Sequence, residues 1–214
     1  MQETRRKNAP MHSILFILLQ AGVVLLLVDF VSGFVHWIED SYFSETTPLI
    51  GPLVVAPNIL HHRSPRHFIK GSFWFRNNTT ILPCVAIFAL GTVALGFHWQ
   101  LLLFCAVLSL SNELHCWTHR SPQENGPVIA FLHERGWIQT PSHHSVHHTD
   151  PKNRAYCTLT NLMNPVLDRF EVWRRLEKVI HTVFGVATRP DPTVNPERAA
   201  RNTQRELAKR SRSA

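Results

Sequence analysis

ILPCVAIFALGTVALGFHWQLLLFCAVLSLS, residues 81–111, contains no charged side chain. Gly96, Phe97 and His98 interrupt it, so it reads as a helical hairpin with arms over 80–97 and 99–117. A helix needs about 20 apolar residues to cross the hydrocarbon core of a bilayer, and each arm is just long enough. Toward the N-terminus, Ser13 to Val28 is also uncharged. That stretch predicts a membrane helix from 13 to about 37, preceded by a polar leader over 1–12. A secretory signal is the competing reading. The apolar run is too long for a signal core, and it continues into Asp29 and His36 without a small-residue cleavage site.

The segments between and after these helices complete the architecture. Residues 41–80 carry Pro48, Pro52, Pro57 and Pro65, which predict loop, and Phe68, Phe73, Trp74 and Phe75, which suit the headgroup layer. Residues 127–140 are too short and polar to span and predict a partly embedded helix. Residues 165–186 alternate apolar Trp173, Leu176 and Ile180 with Arg169, Arg174, Arg175 and Lys178, the pattern of a surface helix on anionic lipid. Residues 188–214 are rich in proline and arginine and predict a basic disordered tail. The fold class is all-α: a multi-pass membrane helical protein with interfacial amphipathic helices, its membrane domain running from 13 to 187.

Net charge is +7 with a pI near 9.7. Nucleic acid is not the implied partner, because the basic tail lacks interleaved aromatics for base stacking. The basic residues flank apolar stretches, as the positive-inside bias requires, which predicts a cytosolic tail. Arg5, Arg6 and Lys7 pull the N-terminus toward the same side, in conflict with a single span at 13–37. Cys84, Cys105, Cys116 and Cys157 show no CxxC spacing and read as reduced thiols.

Ten of the fourteen histidines fall in four groups: His36; His61, His62 and His67; His115 and His119; His143, His144, His147 and His148. Neutral imidazole is the commonest side-chain metal ligand. His115 and His119 lie one helical turn apart, and His144, His147 and His148 have the spacing of one helix face. Asp29, His36 and Asp40 share a face of the first helix, and ionisable residues on a membrane helix mark function. Asn112 lies on the face of His115, where it would orient a ligand ring; Asp29, Asp40 and His133 are candidates for the same role. His12, His98 and His181 fall outside the pattern. So many imidazoles exceed one tetrahedral zinc site, HExxH is absent, and hard cations would want carboxylates. Imidazole suits iron, copper, nickel and zinc, and two iron ions with four or five ligands each would use the supply.

The HxxxH and HxxHH boxes beside membrane hairpins resemble those of the membrane fatty-acid desaturase and hydroxylase superfamily. The ordered series Gly33-Phe-Val-His36-Trp, His61-His62 with His67, Asn112-Glu-Leu-His115-Cys-Trp-Thr-His119, His143-His144-Ser-Val-His147-His148, Asn164-Pro-Val-Leu-Asp and Trp173-Arg-Arg-Leu-Glu is similar to the Kua, or plasmanylethanolamine desaturase, family over roughly 25–180. The resemblance implies a di-iron, non-haem centre and O2 as co-substrate. The reaction would remove two hydrogens from an unactivated chain, converting an alkyl ether phospholipid to its vinyl ether (plasmalogen) form. An acyl-lipid desaturase or a hydroxylase with the same metal site is the alternative. The ligands would be the ten grouped histidines, at the cytosolic membrane face.

Phe88, Leu102 and Phe131 would line the lipid chain, and Arg63, Arg66, Lys70, Arg120, Lys152 and Arg154 would meet its headgroup. No GxGxxG and no iron–sulfur cysteine set is present, so a separate electron donor of cytochrome b5 or ferredoxin type is implied. A histidine-rich metal transporter is the non-enzyme reading, but it needs ionisable groups in mid-membrane, and Leu82 to Leu110 has none.

Overall fold

The computed structural model describes residues 2–212, with side chains outside 2–12, 210 and 212. The side chains of the leader at 1–12, His12 included, therefore lie outside the described residues. Helix α1 (Gln2–Ser41) is followed by a π-helical turn (Gly51–Val55), α2 (Ala56–Arg63), α3 (Pro65–Phe68), α4 (Phe73–Leu95), α5 (Trp99–Ser109) and α6 (Ser111–Thr118). Then come α7 (Pro122–Glu134), α8 (Pro141–His144), α9 (Met163–Arg169), α10 (Val172–Phe184) and α11 (Pro196–Arg212). Among the described residues there are no strands.

Ser13–Ser41 and Phe73–Leu95 are long and apolar enough to cross a membrane. The pair α5 and α6 passes the same test jointly, bent by 41° at Leu110. The hairpin thus differs from its expected form at both ends. Its first arm begins at Phe73, because the Ser72 hydroxyl accepts the Phe75 N–H and caps the helix there. Phe73, Trp74 and Phe75 are its first turn and not a separate interfacial segment. Its second arm breaks where Leu110 leaves helical geometry. The turn stands where expected: Gly96 takes φ of +81°, open to glycine and costly to other residues.

The expected loop at 41–80 holds two helices and the π-turn. The expected helix at 165–186 is two helices, α9 and α10, divided at Glu171 with φ of +50°. Trp173 is not on a lipid surface. It is 2% exposed and packs on Trp37 and Tyr156, with ring centroids 5.5 and 5.4 Å away. Trp37, Tyr156, Cys157, Leu167 and Trp173 form the core that ties α9 and α10 to α1. The chain at Cys157 crosses α1 so closely that a Cβ on Gly33 would sit 2.9 Å from the Cys157 nitrogen.

The tail expected to be disordered carries α11. Asn202 donates to the Asp150 carbonyl at 2.8 Å, and Glu206 lies 3.6 Å from Arg154. Its many charges alternate with apolar positions at helical spacing, a pattern that overall composition conceals.

Candidate metal centre

Four structural units deliver imidazoles to one end of the bundle. They are the C-terminal turns of α1, helix α2, helix α6, and α8 with the turn after it. Two groups of side chains form there. His61, His115, His119, His144 and His148 make one; His36, Asp40, His62 and His147 make the other, with ligand atoms inside each group within 4.8 Å of one another. Adjacent histidines part company: His61 and His62 go to different groups, as do His147 and His148. The groups adjoin, with the His62 and His148 ring centroids 5.2 Å apart.

In the five-histidine group the Nε2 atoms of His115 and His144 lie 2.9 Å apart, those of His144 and His148 3.0 Å, and those of His115 and His119 3.3 Å. In the second group the His62 and His147 Nε2 atoms are 3.2 Å apart. Ligand nitrogens about 2.0–2.1 Å from a metal ion lie roughly this far from each other. Buried polar atoms without partners include His36 Nε2, Asp40 Oδ2, both nitrogens of His61, and Nδ1 of His144 and His148. Unpaired buried polar atoms are expensive, and a cation bound among the converging nitrogens and Asp40 Oδ2 would satisfy those that face it. Burial first, and then the neighbouring imidazoles, push His61, His144 and His147 well below the ordinary imidazole range. His148 is pushed down to about 2 for the same reasons. The rings are neutral at physiological pH, which is the ligating form. The residues therefore fit a pair of first-row transition metal ions.

The second group is oriented from behind. His36 Nδ1 faces the Tyr156 carbonyl at 3.2 Å and His147 Nδ1 faces the Arg154 carbonyl at 3.0 Å. Donation from Nδ1–H leaves the Nε2 lone pair for the metal. Asp40 Oδ1 accepts from Asn58 Nδ2 at 2.6 Å, and Asp40 Oδ2 stands 3.4 Å from His147 Nε2. Asp40, expected to orient a ring, thus stands among the ligand atoms themselves.

Other expected site residues lie elsewhere. His67 is exposed and belongs to neither group. His143 is half-buried against Asn164 Nδ2 at 3.3 Å, and His133 is half-buried outside both groups. Asp29 accepts from the Leu159 N–H at 2.9 Å and from the Thr160 hydroxyl, so it holds the segment behind His36 instead of a ligand ring. Asn112 donates to the Arg76 carbonyl at 2.8 Å and orients no histidine. Phe88 packs on Phe97 at the hairpin turn and Phe131 on Trp137.

Of the expected headgroup cations, Arg63 and Lys70 are exposed. Arg66 pairs with Glu124 at 2.7 Å, Arg120 with Glu113 at 3.4 Å, Arg154 with Glu206, and Lys152 donates to Thr193. Sequence reasoning missed two features. A buried ion pair, Arg76 Nη2 to Glu113 Oε2 at 2.6 Å, braces α4 against α6 beside His115. Asp191 reaches His62 from a segment that composition had marked as tail.

A helical bundle with membrane-length spans and two adjoining histidine-rich groups able to hold metal ions defines a class of membrane protein. The lipid desaturase domain matches residues 25–191, and the chain belongs to that family. A plasmanylethanolamine desaturase of Myxococcus xanthus is 33% identical over 187 residues, 81% of this chain and 64% of that protein. A probable fatty acid desaturase of Acanthamoeba polyphaga mimivirus is 31% identical over 169 residues, 77% of this chain and 82% of that protein. Plasmanylethanolamine desaturase 1 of Mus musculus is 29% identical over 185 residues, 79% of this chain and 68% of that protein. No solved structure matches the chain.

Proposed function

We propose that the protein is an O2-dependent membrane lipid desaturase that converts an alkyl ether phospholipid to its vinyl ether form, with one iron ion in each ligand group. The observation that carries this reading is a cleft of about 250 Å³ that has His61 and His115 on its wall and Val35, Leu53 and Phe75 among its lining. Those three apolar side chains are 47%, 63% and 63% exposed, so the mouth faces lipid. Asn78, Thr79, Thr80 and Asn112 line the same cleft. Vinyl ether formation acts on the two chain carbons beside the ether oxygen, so the glycerol and headgroup must lie close to the ligands. Polar groups beside His115 suit that placement. The relatives named as plasmanylethanolamine desaturases support the same substrate.

Iron held by these groups supplies, with O2, the oxidant that takes two hydrogens from an unactivated chain. One O2 accepts those two hydrogens together with two electrons and two protons and leaves as two waters. The side chains hold the ligand atoms, keep bulk water from the oxidant and fix which methylene approaches. The electrons come from a separate carrier of cytochrome b5 or ferredoxin type. The basic tail supports a cytosolic position for the metal end.

The test is expression in a host lacking vinyl ether lipids, supplied with alkyl ether phospholipid and a compatible electron donor, followed by lipid mass spectrometry. The expected product has lost two hydrogens from the sn-1 chain and is cleaved by mild acid. An acid-stable alkene on an acyl chain would move the substrate to that of a fatty acid desaturase. A product heavier by one oxygen would make the protein a hydroxylase. No changed lipid from iron-loaded protein receiving electrons would overturn the reading.

A further inference from the structure

The segment after α10 returns across the metal end, fastened by Arg189 at one end and by Lys152 at the other. Arg189 donates its backbone N–H to the Ser41 carbonyl at 2.8 Å and its side chain to the Phe43 carbonyl, capping the C-terminus of α1. Thr193 donates its N–H and hydroxyl to Asp191 Oδ1 at 2.7 and 2.8 Å. Lys152 Nζ, itself buried, grips the Thr193 carbonyl at 2.9 Å. These contacts fix Asp191 so that its other oxygen, Oδ2, stands 3.5 Å from His62 Nδ1. On the opposite edge of that ring, Nε2 faces Asp40 at 3.7 Å and His147 at 3.2 Å.

All three histidines of the second group therefore have an oxygen behind Nδ1: Tyr156 for His36, Arg154 for His147 and Asp191 for His62. In the five-histidine group, Nδ1 of His61, His144 and His148 is buried with no partner. An acceptor behind a ligating imidazole fixes its tautomer and orientation, and losing it typically costs 10–100-fold in metal affinity. Two of the three acceptors are main-chain carbonyls that no substitution removes. The third is one carboxylate on a segment remote in sequence from the other ligands.

From this geometry we infer that Asp191 is a positioning residue for His62, and that the 189–193 strap sets occupancy of the second metal site without touching the metal itself. The inference rests on the reading of two bound iron ions. Its consequence is selective: the second site empties while the five-histidine site keeps its ion.

The experiment is iron analysis and Mössbauer spectroscopy of purified Asp191→Ala, Asp191→Asn and wild-type protein, each reconstituted with two equivalents of ferrous iron per chain. Wild type is expected to hold two irons per chain in two environments. Asp191→Ala is expected to weaken the second site 10–100-fold and fall toward one iron, with one spectral component lost and the other unmoved. Asn keeps an oxygen acceptor, so Asp191→Asn should recover much of the missing component. If Asp191→Ala misfolds, Thr193→Ala, which removes one of the bonds fixing the carboxylate, should show the same selective loss more weakly. Wild type with two irons and Asp191→Ala with an unchanged spectrum would overturn the inference and leave the desaturase reading intact, as would equal loss of both components. Wild type that cannot bind two irons would bring down the di-iron reading and this inference with it.

Discussion

The two ends of the helical bundle follow opposite rules. Around the hairpin turn the apolar side chains point outward: Val93 is 86% exposed, Leu95 72% and Phe97 65%. The side-chain hydrogen bond between α1 and α5 there is a long Gln100–Gln20 contact of 3.4 Å. At the metal end, beside the core of Trp37, Tyr156 and Trp173, many polar side chains are buried: Asp29, His36, Asp40, Asn77, Glu113, His144 and His147 are each no more than 8% exposed. Lipid tails are as apolar as leucine, so helices in a membrane gain little from burying apolar faces on each other. What is worth burying is what must meet: ligand to ligand, carboxylate to guanidinium, acceptor to ring nitrogen. The buried polar side chains therefore mark the end where the two histidine groups form.

The comparison breaks most completely if ligands at the metal end prove dispensable. His119→Ala, His144→Ala and His147→Ala are each expected to abolish lipid desaturation, a loss of several hundred-fold or more, while membrane insertion continues. The spans need no metal to form, because a helix satisfies its own backbone in lipid. His98→Ala at the hairpin turn and His181→Ala, exposed on α10, should retain wild-type turnover. Product assays beside membrane fractionation check both halves. Normal turnover in any ligand variant would remove that residue from the centre.

How far the sequence revealed each end follows from the same contrast. Charge-free runs and the Gly96 turn made the lipid-facing end legible, because hydropathy reports on solvent and solvent alone shapes that surface. At the metal end the histidine boxes pointed to imidazole as the residue type, and eight of the ten grouped histidines come together in the two groups. Spacing did not reveal that His61-His62 and His147-His148 each split between two groups, since neighbouring side chains diverge only once the backbone is placed. Nor did it show that His67, whose helix α3 is separated from α2 by the bend at Ser64, stands outside both groups. Asp191 was hidden because tail-like composition says nothing of three specific hydrogen bonds.

A smaller effect should appear at the brace beside His115. Arg76 and Glu113 are 6% and 7% exposed, and Asn77 and Trp117 also donate to the same carboxylate. Removing one partner of a buried ion pair leaves the other charge uncompensated, a cost of about 3–5 kcal/mol. Glu113→Ala should lower the Tm of detergent-purified protein markedly. Replacing both partners with leucine should cost less than Glu113→Ala alone, because Arg76 is then no longer buried without its carboxylate. A double variant as unstable as the sum of the singles would show that the two side chains are not coupled.

The last prediction concerns sidedness and requires no change in stability or turnover. Helix α4 has 23 residues, about 34 Å at 1.5 Å per residue, enough to cross a hydrocarbon core of about 30 Å. Its N-terminus lies beside the metal groups and its C-terminus at Gly96. If it spans, the turn and the metal end face opposite compartments, and His36 can join the other ligands only because α1 ends on the metal side too. All four native cysteines are buried, so single reporter cysteines can be read after their replacement. Lys70→Cys and Ser211→Cys, both exposed, should react from the cytosolic side with a membrane-impermeant maleimide. Phe97→Cys should react only from the other side. Matching labelling at Lys70 and Phe97 would mean that the hairpin re-enters without crossing, and the difference between the ends would then be one of depth in a single leaflet. Labelling of Lys70 and Ser211 from opposite sides would be worse for the structure, because the strap that carries Asp191 to His62 cannot pass through the bilayer.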